Sequence, residues 1–401
     1  MPRKNVYVWT ALWNLDTWID HRGTGNNTSQ VRDLTSIERF NLLARVVEKA
    51  YLELGKNLVL HAKSLVDEQA TFLFLFVAPE YLFAASDTAH AIPQSEKDDL
   101  VGRLKALSLS YPYLILVPGT IAWKKPVVRT IPESYKRDKT TGLRTNVKKE
   151  RTRLSKFNER VDFSVNTDIA IAEHRVDLQI KQLLADPLVS LSEKKRLQNP
   201  KYRDELIESA LIKAKQRRKE TLTNMSVNLQ KQPDRCFVAR NTCYAFYAGK
   251  EVARYHKRGD FHEVVPSESD NGYIIFEPGG GPDGNGDMFE VESVKFGIEI
   301  CLDHNYGFLS QTSSTKPDVH IIVSAAVKFV NEHAHVPPHH WIVHASSSFD
   351  YTAAYGNSGY EVKRYDTTDI AVERGTLRCC RLFFDVPEQQ VLTLEDMIVN
   401  K

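Results

Sequence analysis

Val294-Lys295-Phe296-Gly297-Ile298-Glu299-Ile300-Cys301-Leu302-Asp303-His304 is the stretch around which this chain is organised. Val294, Phe296, Ile298 and Ile300 alternate with Lys295, Gly297 and Glu299, the period-two signature of a strand buried on one face. The strand runs directly into Cys301, with the polar residues Asp303, His304 and Asn305 close behind. A thiol held at the end of a packed strand is rigid enough to act as a nucleophile. A lone cysteine there is better explained as core packing. The two readings separate on whether other strands end in a base and an oxyanion stabiliser.

The chain has 401 residues, 42% hydrophobic and 26% charged, enough to bury a large core without covalent staples. It contains no apolar run long enough to span a bilayer, and its first residues lead straight into strand-like sequence. Five cysteines without a Cys-x-x-Cys pair point to free thiols in a reducing compartment, so a cytoplasmic protein free of membrane is expected.

Strand and helix signals alternate along the chain. Asn5–Leu12 reads as a first strand. Thr35–Leu54 has a capping signal and helical spacing, with Gly55 as its expected stop. Thr71–Ala78 is a continuous apolar run of strand length and reads as buried on both faces, ending at Pro79-Glu80-Tyr81. A carboxylate directly after such a run is either a solvated loop residue or has a partner and a task. Ser95–Leu107 reads as helix and Tyr113–Thr120 as strand. Cys236–Tyr247 and Glu251–Lys257 read as a hairpin about Ala248-Gly249-Lys250, which places Lys257 at a strand end on the side of Ala253 and Tyr255. Gly272–Glu277 and Val319–Ala325 read as further strands, with His320 a satisfied core histidine. Trp341–Phe349 is expected as a helix, Tyr351–Tyr355, Asp369–Val372 and Leu377–Asp385 as strands, and Leu392–Val399 as a terminal helix. Pro337-Pro338 prevents a helical metal site among His333, His335, His339 and His340.

Residues 124–232 interrupt this rhythm. They carry 26 Lys and Arg against 14 Asp and Glu, a net +12 that leaves −10 on the rest of a chain whose total is +2. The segment is turn-prone at first and helical later, and Lys213–Lys219 is strongly basic. It lacks aromatic interleaving and any nucleic-acid module signature, so a solvated helical surface is expected, with nucleic acid or another acidic partner as the alternative.

Glu80, Lys257 and Cys301 thus stand at the ends of three different strands. Their order and contexts resemble the nitrilase, or carbon–nitrogen hydrolase, superfamily. The pieces that carry the resemblance are Phe76–Glu80, Arg254–Lys257, Gly297–Asp303, Pro317–Ser324 and the Asn241-Thr242 strand. The chain departs from the family pattern in the 124–232 segment and in the sequence His344–Asp350 after the Ser324 strand. The resemblance implies an α/β fold, a four-layer αββα sandwich in a single domain over 1–401, interrupted by a basic, mostly helical subdomain at about 124–232. It implies a homodimer or higher homo-oligomer, and neither metal nor organic cofactor.

The resemblance also assigns roles. Cys301 is the expected nucleophile, Glu80 the general base and acid, and Lys257 the oxyanion stabiliser together with the backbone N–H of Leu302. Glu263, six residues after Lys257, resembles a second family glutamate, and Tyr81 and Asp303 are expected to support the site. True nitrilases tend to carry Cys-Trp-Glu, and amidases and carbamoyl hydrolases Cys-x-Asp; Cys301-Leu302-Asp303 is of the second kind. The expected reaction is therefore hydrolysis of a small-molecule amide or N-carbamoyl bond through a thioester. An acyltransferase using the same groups, or a retired enzyme whose basic segment docks an acidic partner, are the competing readings.

Overall fold

A computed structural model describes residues 3–18, 29–62, 70–85, 91–127, 165–232, 235–259, 272–279 and 286–387. The expected terminal helix at Leu392–Val399 lies outside these residues. Among them no helix is long and apolar enough to cross a membrane.

Two sheets make up the body. The larger has ten strands, ordered β15-β16-β1-β2-β4-β6-β5-β3, with β7 and β8 also paired to β6. Its strands are β1 (Arg3–Asn14), β2 (Thr71–Val77), β3 (Ile92–Pro93), β4 (Leu114–Val117), β5 (Thr120–Pro126), β6 (Cys236–Tyr247), β7 (Lys250–His256), β8 (Tyr273–Phe276), β15 (Thr368–Ala371) and β16 (Thr376–Pro387). The smaller has six, β9 (Met288–Val291), β10 (Val294–Ile300), β11 (Val319–Ser324), β12 (Trp341–Ser346), β13 (Ala353–Asn357) and β14 (Val362–Tyr365), ordered β14-β13-β12-β11-β10-β9.

The alternation of side chains decides how the sheets stack. Val6, Val8, Leu73 and Leu75 of the larger sheet share one buried cluster with Phe296, Ile298, Ile321 and Val323 of the smaller. The intervening residues of the same strands, Trp9, Trp13, Phe74 and Phe76, face the other way. They pack with Leu42, Leu43, Val46 and Val47 of α1 (Ser36–Ala62) and Leu100 and Leu104 of α2 (Gln94–Leu109). The unbroken apolar run of β2 is thus buried on both faces, as its composition requires. On the outer face of the smaller sheet, Ile322 and Ile342 pack with Val336, Phe329 and Ala334 of the segment after β11. The helical turns on that side of the described chain are short: α6 (Leu302–Asn305), α7 (Phe308–Thr312) and a 3-10 turn at Asn331–His333.

Two local readings change. Trp341–Phe349 is not a helix. Trp341–Ser346 forms β12, parallel to β11 from Val319↔Trp341 to Ser324↔Ser346, because a short apolar run has no periodicity that distinguishes a buried strand from a buried helix. Gly55 does not stop α1, which continues to Ala62; a Cβ at Gly55 would meet nothing within 4 Å, so no left-handed turn or close approach calls for glycine there. The start of α1 is capped as expected: the Thr35 amide and hydroxyl donate to Glu38 Oε2, both at 2.8 Å, and the Glu38 amide donates back to Thr35 Oγ1.

β5 and β6 are antiparallel neighbours up to Pro126↔Phe237, so the chain departs from the sheet and returns beside its own exit. Between them lie α3 (Val165–Ala185), α4 (Leu191–Leu197) and α5 (Pro200–Lys231). α3 and α5 share Ala172, Val176 and Ile207, while Met225, Leu222 and Leu229 of α5 pack on Val238, Tyr273 and Ile275.

Candidate active site

Strands β1, β2 and β4 run parallel in one sheet, and β10, β11 and β12 in the other. Functional groups collect beyond the carboxyl ends of such strands, where loops are free to present side chains. The two sheets are joined at this edge. Asn14 Nδ2, at the end of β1, donates to the Ser346 carbonyl at 2.9 Å, and the Thr17 amide donates to Ser347 Oγ at 3.3 Å.

Cys301 follows β10 with φ 53° and ψ −117°, in the left-handed half of backbone space that a side chain rarely adopts. Its amide donates to the Val323 carbonyl of β11 at 2.8 Å, which carries the strand pairing into the turn. The thiol is buried, and the Glu80 carboxylate, the Lys257 ammonium and the Ala325 amide are the groups that act on it. Burial, then the charge of Glu80, push the thiol well above its ordinary pKa, against the opposing pull of Lys257. The same burial and charge disfavour the thiolate form of Cys301. A raised pKa lowers the thiolate fraction at any given pH. Alkylation of Cys301 by iodoacetamide is accordingly expected to be more than about tenfold slower at pH 7 than that of a free thiol, and to keep rising above pH 9. Mass spectrometry of the Cys301 peptide checks this; a plateau at or below pH 8 contradicts it.

Glu80 hangs from the end of β2 on a turn closed by Tyr81, whose φ is 61°. The Glu80 amide donates to the Ser324 carbonyl at 3.2 Å, and its own carbonyl accepts from the Thr17 hydroxyl. Oε1 accepts from Lys257 Nζ at 2.7 Å and Asn241 Nδ2 at 2.9 Å; Oε2 accepts from the Ala325 amide at 3.1 Å. Glu80 is 0% and Lys257 1% exposed. A buried charge pair of this kind is tolerated only because hydrogen bonds satisfy its remaining atoms. The Lys257 backbone is held from both sides, its amide by the Asn241 carbonyl and its carbonyl by the Gly279 amide. Its ammonium lies 5.7 Å from the centroid of the Tyr81 ring.

The structure thus brings Glu80, Lys257 and Cys301 together, with Tyr81 beside them. Leu302 is half-buried and opens α6 directly after Cys301. Asp303 is fully buried and accepts from the Tyr255 hydroxyl at 2.7 Å and from the Arg258 and Gly259 amides at 2.9 and 3.1 Å, so it anchors the strand end that carries Lys257. Burial pushes its carboxyl up to about 7 against the pull of Lys257 and those donors. Glu263 lies outside the described residues. From α3, Arg175 acts electrostatically on the Tyr306 hydroxyl, against the burial that raises its pKa.

Reading the sequence for site residues misses two contributors. Asn241 was visible only as part of a strand motif, yet its amide grips the Glu80 carboxylate. Arg39, one turn into α1, is 2% exposed and donates to the Leu34, Leu82 and Ala84 carbonyls, closing the loop after Glu80. Burial lowers its pKa to about 10. Nothing in the local pattern of α1 distinguishes Arg39 from a solvated helical arginine. Among the described residues, Glu299, His304 and His320 have the chemistry of metal ligands, with candidate atoms within 4.8 Å of one another.

No protein-family model matches the chain, and no curated protein matches it. Among solved structures, it is similar to a cysteine-to-alanine variant of the Nesterenkonia AN1 amidase from the nitrilase superfamily, at 9% identity over 99% of this chain and 94% of that one, with a TM-score of 0.37. It is also similar to the glutamine-dependent NAD+ synthetase of Acinetobacter baumannii, at 10% identity over 96% of this chain and 46% of that one, with a TM-score of 0.39. A second Nesterenkonia amidase variant and the glutamine-dependent NAD+ synthetase of Cytophaga hutchinsonii are also among the similar solved structures.

Proposed function

We propose that this chain is a cysteine-dependent hydrolase of a non-peptide carbon–nitrogen bond, an amide or N-carbamoyl group, built on a nitrilase-type αββα sandwich with 124–232 inserted between two neighbouring strands. One observation carries the reading. A single buried carboxylate, Glu80, is shared by the Lys257 ammonium, the Asn241 amide and the Ala325 N–H, and its charge acts on the buried Cys301 thiol.

The chemistry follows from those contacts. Glu80 takes the thiol proton as sulfur attacks the carbonyl carbon, so the unfavourable free thiolate never accumulates. The carbonyl oxygen becomes an oxyanion, stabilised by the Lys257 ammonium and the Leu302 N–H. Glu80, now protonated, returns the proton to the leaving nitrogen as the C–N bond breaks, which leaves a thioester on Cys301. Water then attacks the thioester with Glu80 again as base; the C–S bond breaks, the acid departs and the thiol is restored. Asn241 and the Ala325 N–H keep the carboxylate aimed at sulfur through both halves.

The test is a panel of primary amides and N-carbamoyl compounds, read by ammonia or amine release and by the mass of the Cys301 peptide after acid quenching. Turnover and an acyl adduct on that peptide are expected in the wild type, with both lost in Cys301→Ala. Turnover that survives in Cys301→Ala overturns the reading.

A further inference from the structure

We propose that Glu299, His304 and His320 form a metal-free, proton-filled clamp on the outer face of the smaller sheet, and that this clamp positions the turn carrying Cys301. Its consequence for rate rests on the hydrolase reading; its chemistry does not.

All three residues are fully buried. Glu299 lies on β10, His320 on the neighbouring β11 and His304 on α6. Glu299 Oε2 is 3.0 Å from His304 Nδ1 and 2.9 Å from His320 Nε2, and Oε1 accepts from the Leu309 amide at 2.6 Å. Two imidazoles and a carboxylate at this spacing have the composition of a zinc or iron site. The far nitrogen of each ring decides otherwise. An imidazole that gives a lone pair to a metal carries its proton on the other nitrogen, which then needs an acceptor. Here His304 Nε2 faces the Val330 amide at 3.1 Å, and His320 Nδ1 faces the His335 amide at 3.5 Å. Both amides are donors. The ring protons are thereby placed on His304 Nδ1 and His320 Nε2, and both point at Glu299. Phe329, stacked on the His304 ring at 5.4 Å and 8°, fixes the ring plane.

Three N–H groups therefore converge on one buried carboxylate. Burial alone raises the Glu299 pKa, but the hydrogen bonds from His304 and His320 outweigh it and hold the carboxyl well below the ordinary range. Burial lowers the pKa of His320, in the same direction as the geometry.

The clamp brackets the nucleophile. Glu299 stands two residues before Cys301 and His304 three after, and Leu309 brings in α7. The His304 carbonyl is held in turn by His333 Nδ1 at 2.8 Å. A non-glycine residue at positive φ, such as Cys301, is strained and persists only where its surroundings impose it. α6 has four residues, too few to be stable as an isolated helix. The clamp ties α6, α7 and β11 to the strand end before Cys301, and a misplacement of about 1 Å at a reacting group costs about 10²-fold in rate.

The experiment uses the full chain labelled with 15N-histidine. Imidazole nitrogen shifts are expected to show His304 as the Nδ1–H tautomer and His320 as the Nε2–H tautomer, unmoved by added Zn2+, and elemental analysis should find no stoichiometric zinc or iron. His304→Ala and His320→Ala should lower kcat about 10²-fold with KM changed less than about threefold. His304→Asn and His320→Gln, which offer an amide N–H at Nδ1 and Nε2 respectively, should recover most of that loss. Stoichiometric metal, the opposite tautomers, or alanine variants with wild-type kcat overturn the clamp. If the wild type turns over no amide, the hydrolase reading fails alone; the tautomers still decide the clamp, including where an alanine variant does not fold.

Discussion

Replacing Lys257 with methionine is expected to cost about 3–5 kcal/mol of stability and to abolish amide turnover. Adding Glu80→Gln should restore most of the stability and none of the activity. The Glu80–Lys257 pair is 2.7 Å apart with both side chains essentially unexposed. Methionine keeps the length of the lysine stem but leaves the buried carboxylate without its counterion. A buried charge without its counterion is far costlier than the intact pair is favourable. In the double variant the neutral amide no longer needs a counterion, so the two effects are strongly non-additive. Catalysis has no such rescue. Loss of the general base removes about 10²–10⁴-fold and loss of an oxyanion donor about 10²–10³-fold. Urea unfolding of the two single variants and the double, beside ammonia release, measures both. Additive destabilisation contradicts the pair as a coupled unit.

Gly119→Ala is expected to destabilise the protein by about 3 kcal/mol or more and to lower kcat, whereas Gly102→Ala should stabilise it by about 0.5–1 kcal/mol. Gly119 turns the chain between β4 and β5 at φ 78°, and a Cβ there would sit 2.1 Å from the Pro79 carbonyl oxygen. Left-handed backbone and a clash with main chain act together, and Pro79 immediately precedes Glu80, so relief of the clash moves the base. Gly102 lies inside α2 with nothing within 4 Å of its added Cβ, so alanine gains helix propensity without meeting a neighbour. Thermal and urea unfolding of the pair read the opposite signs. A neutral Gly119→Ala shows that the Pro79 turn is not set by that contact.

Much of this was legible from local chemistry. Period-two alternation in Val294–Ile300 and the unbroken run Thr71–Val77 name their own strands because each residue's burial is dictated by its nearest neighbours in sequence. The Ala248-Gly249 hairpin closes as read, with both residues at positive φ. β12 was not legible, since a six-residue apolar segment is compatible with strand or helix until β11 pairs with it. Arg39 and Asn241 were equally hidden, because their roles depend on carbonyl and carboxylate groups brought from distant positions.

The sequence by itself determined that Glu80, Lys257 and Cys301 each stand at a strand end, and the pattern in which they follow one another. Only the tertiary structure decided that Lys257 pairs with the Glu80 carboxylate beside the buried Cys301, and that the His304 and His320 rings both face Glu299. The physical reason is the range of the forces involved. Strand and turn preferences are set within a few residues, whereas proton location and charge depend on which buried donors and acceptors the completed packing sets face to face.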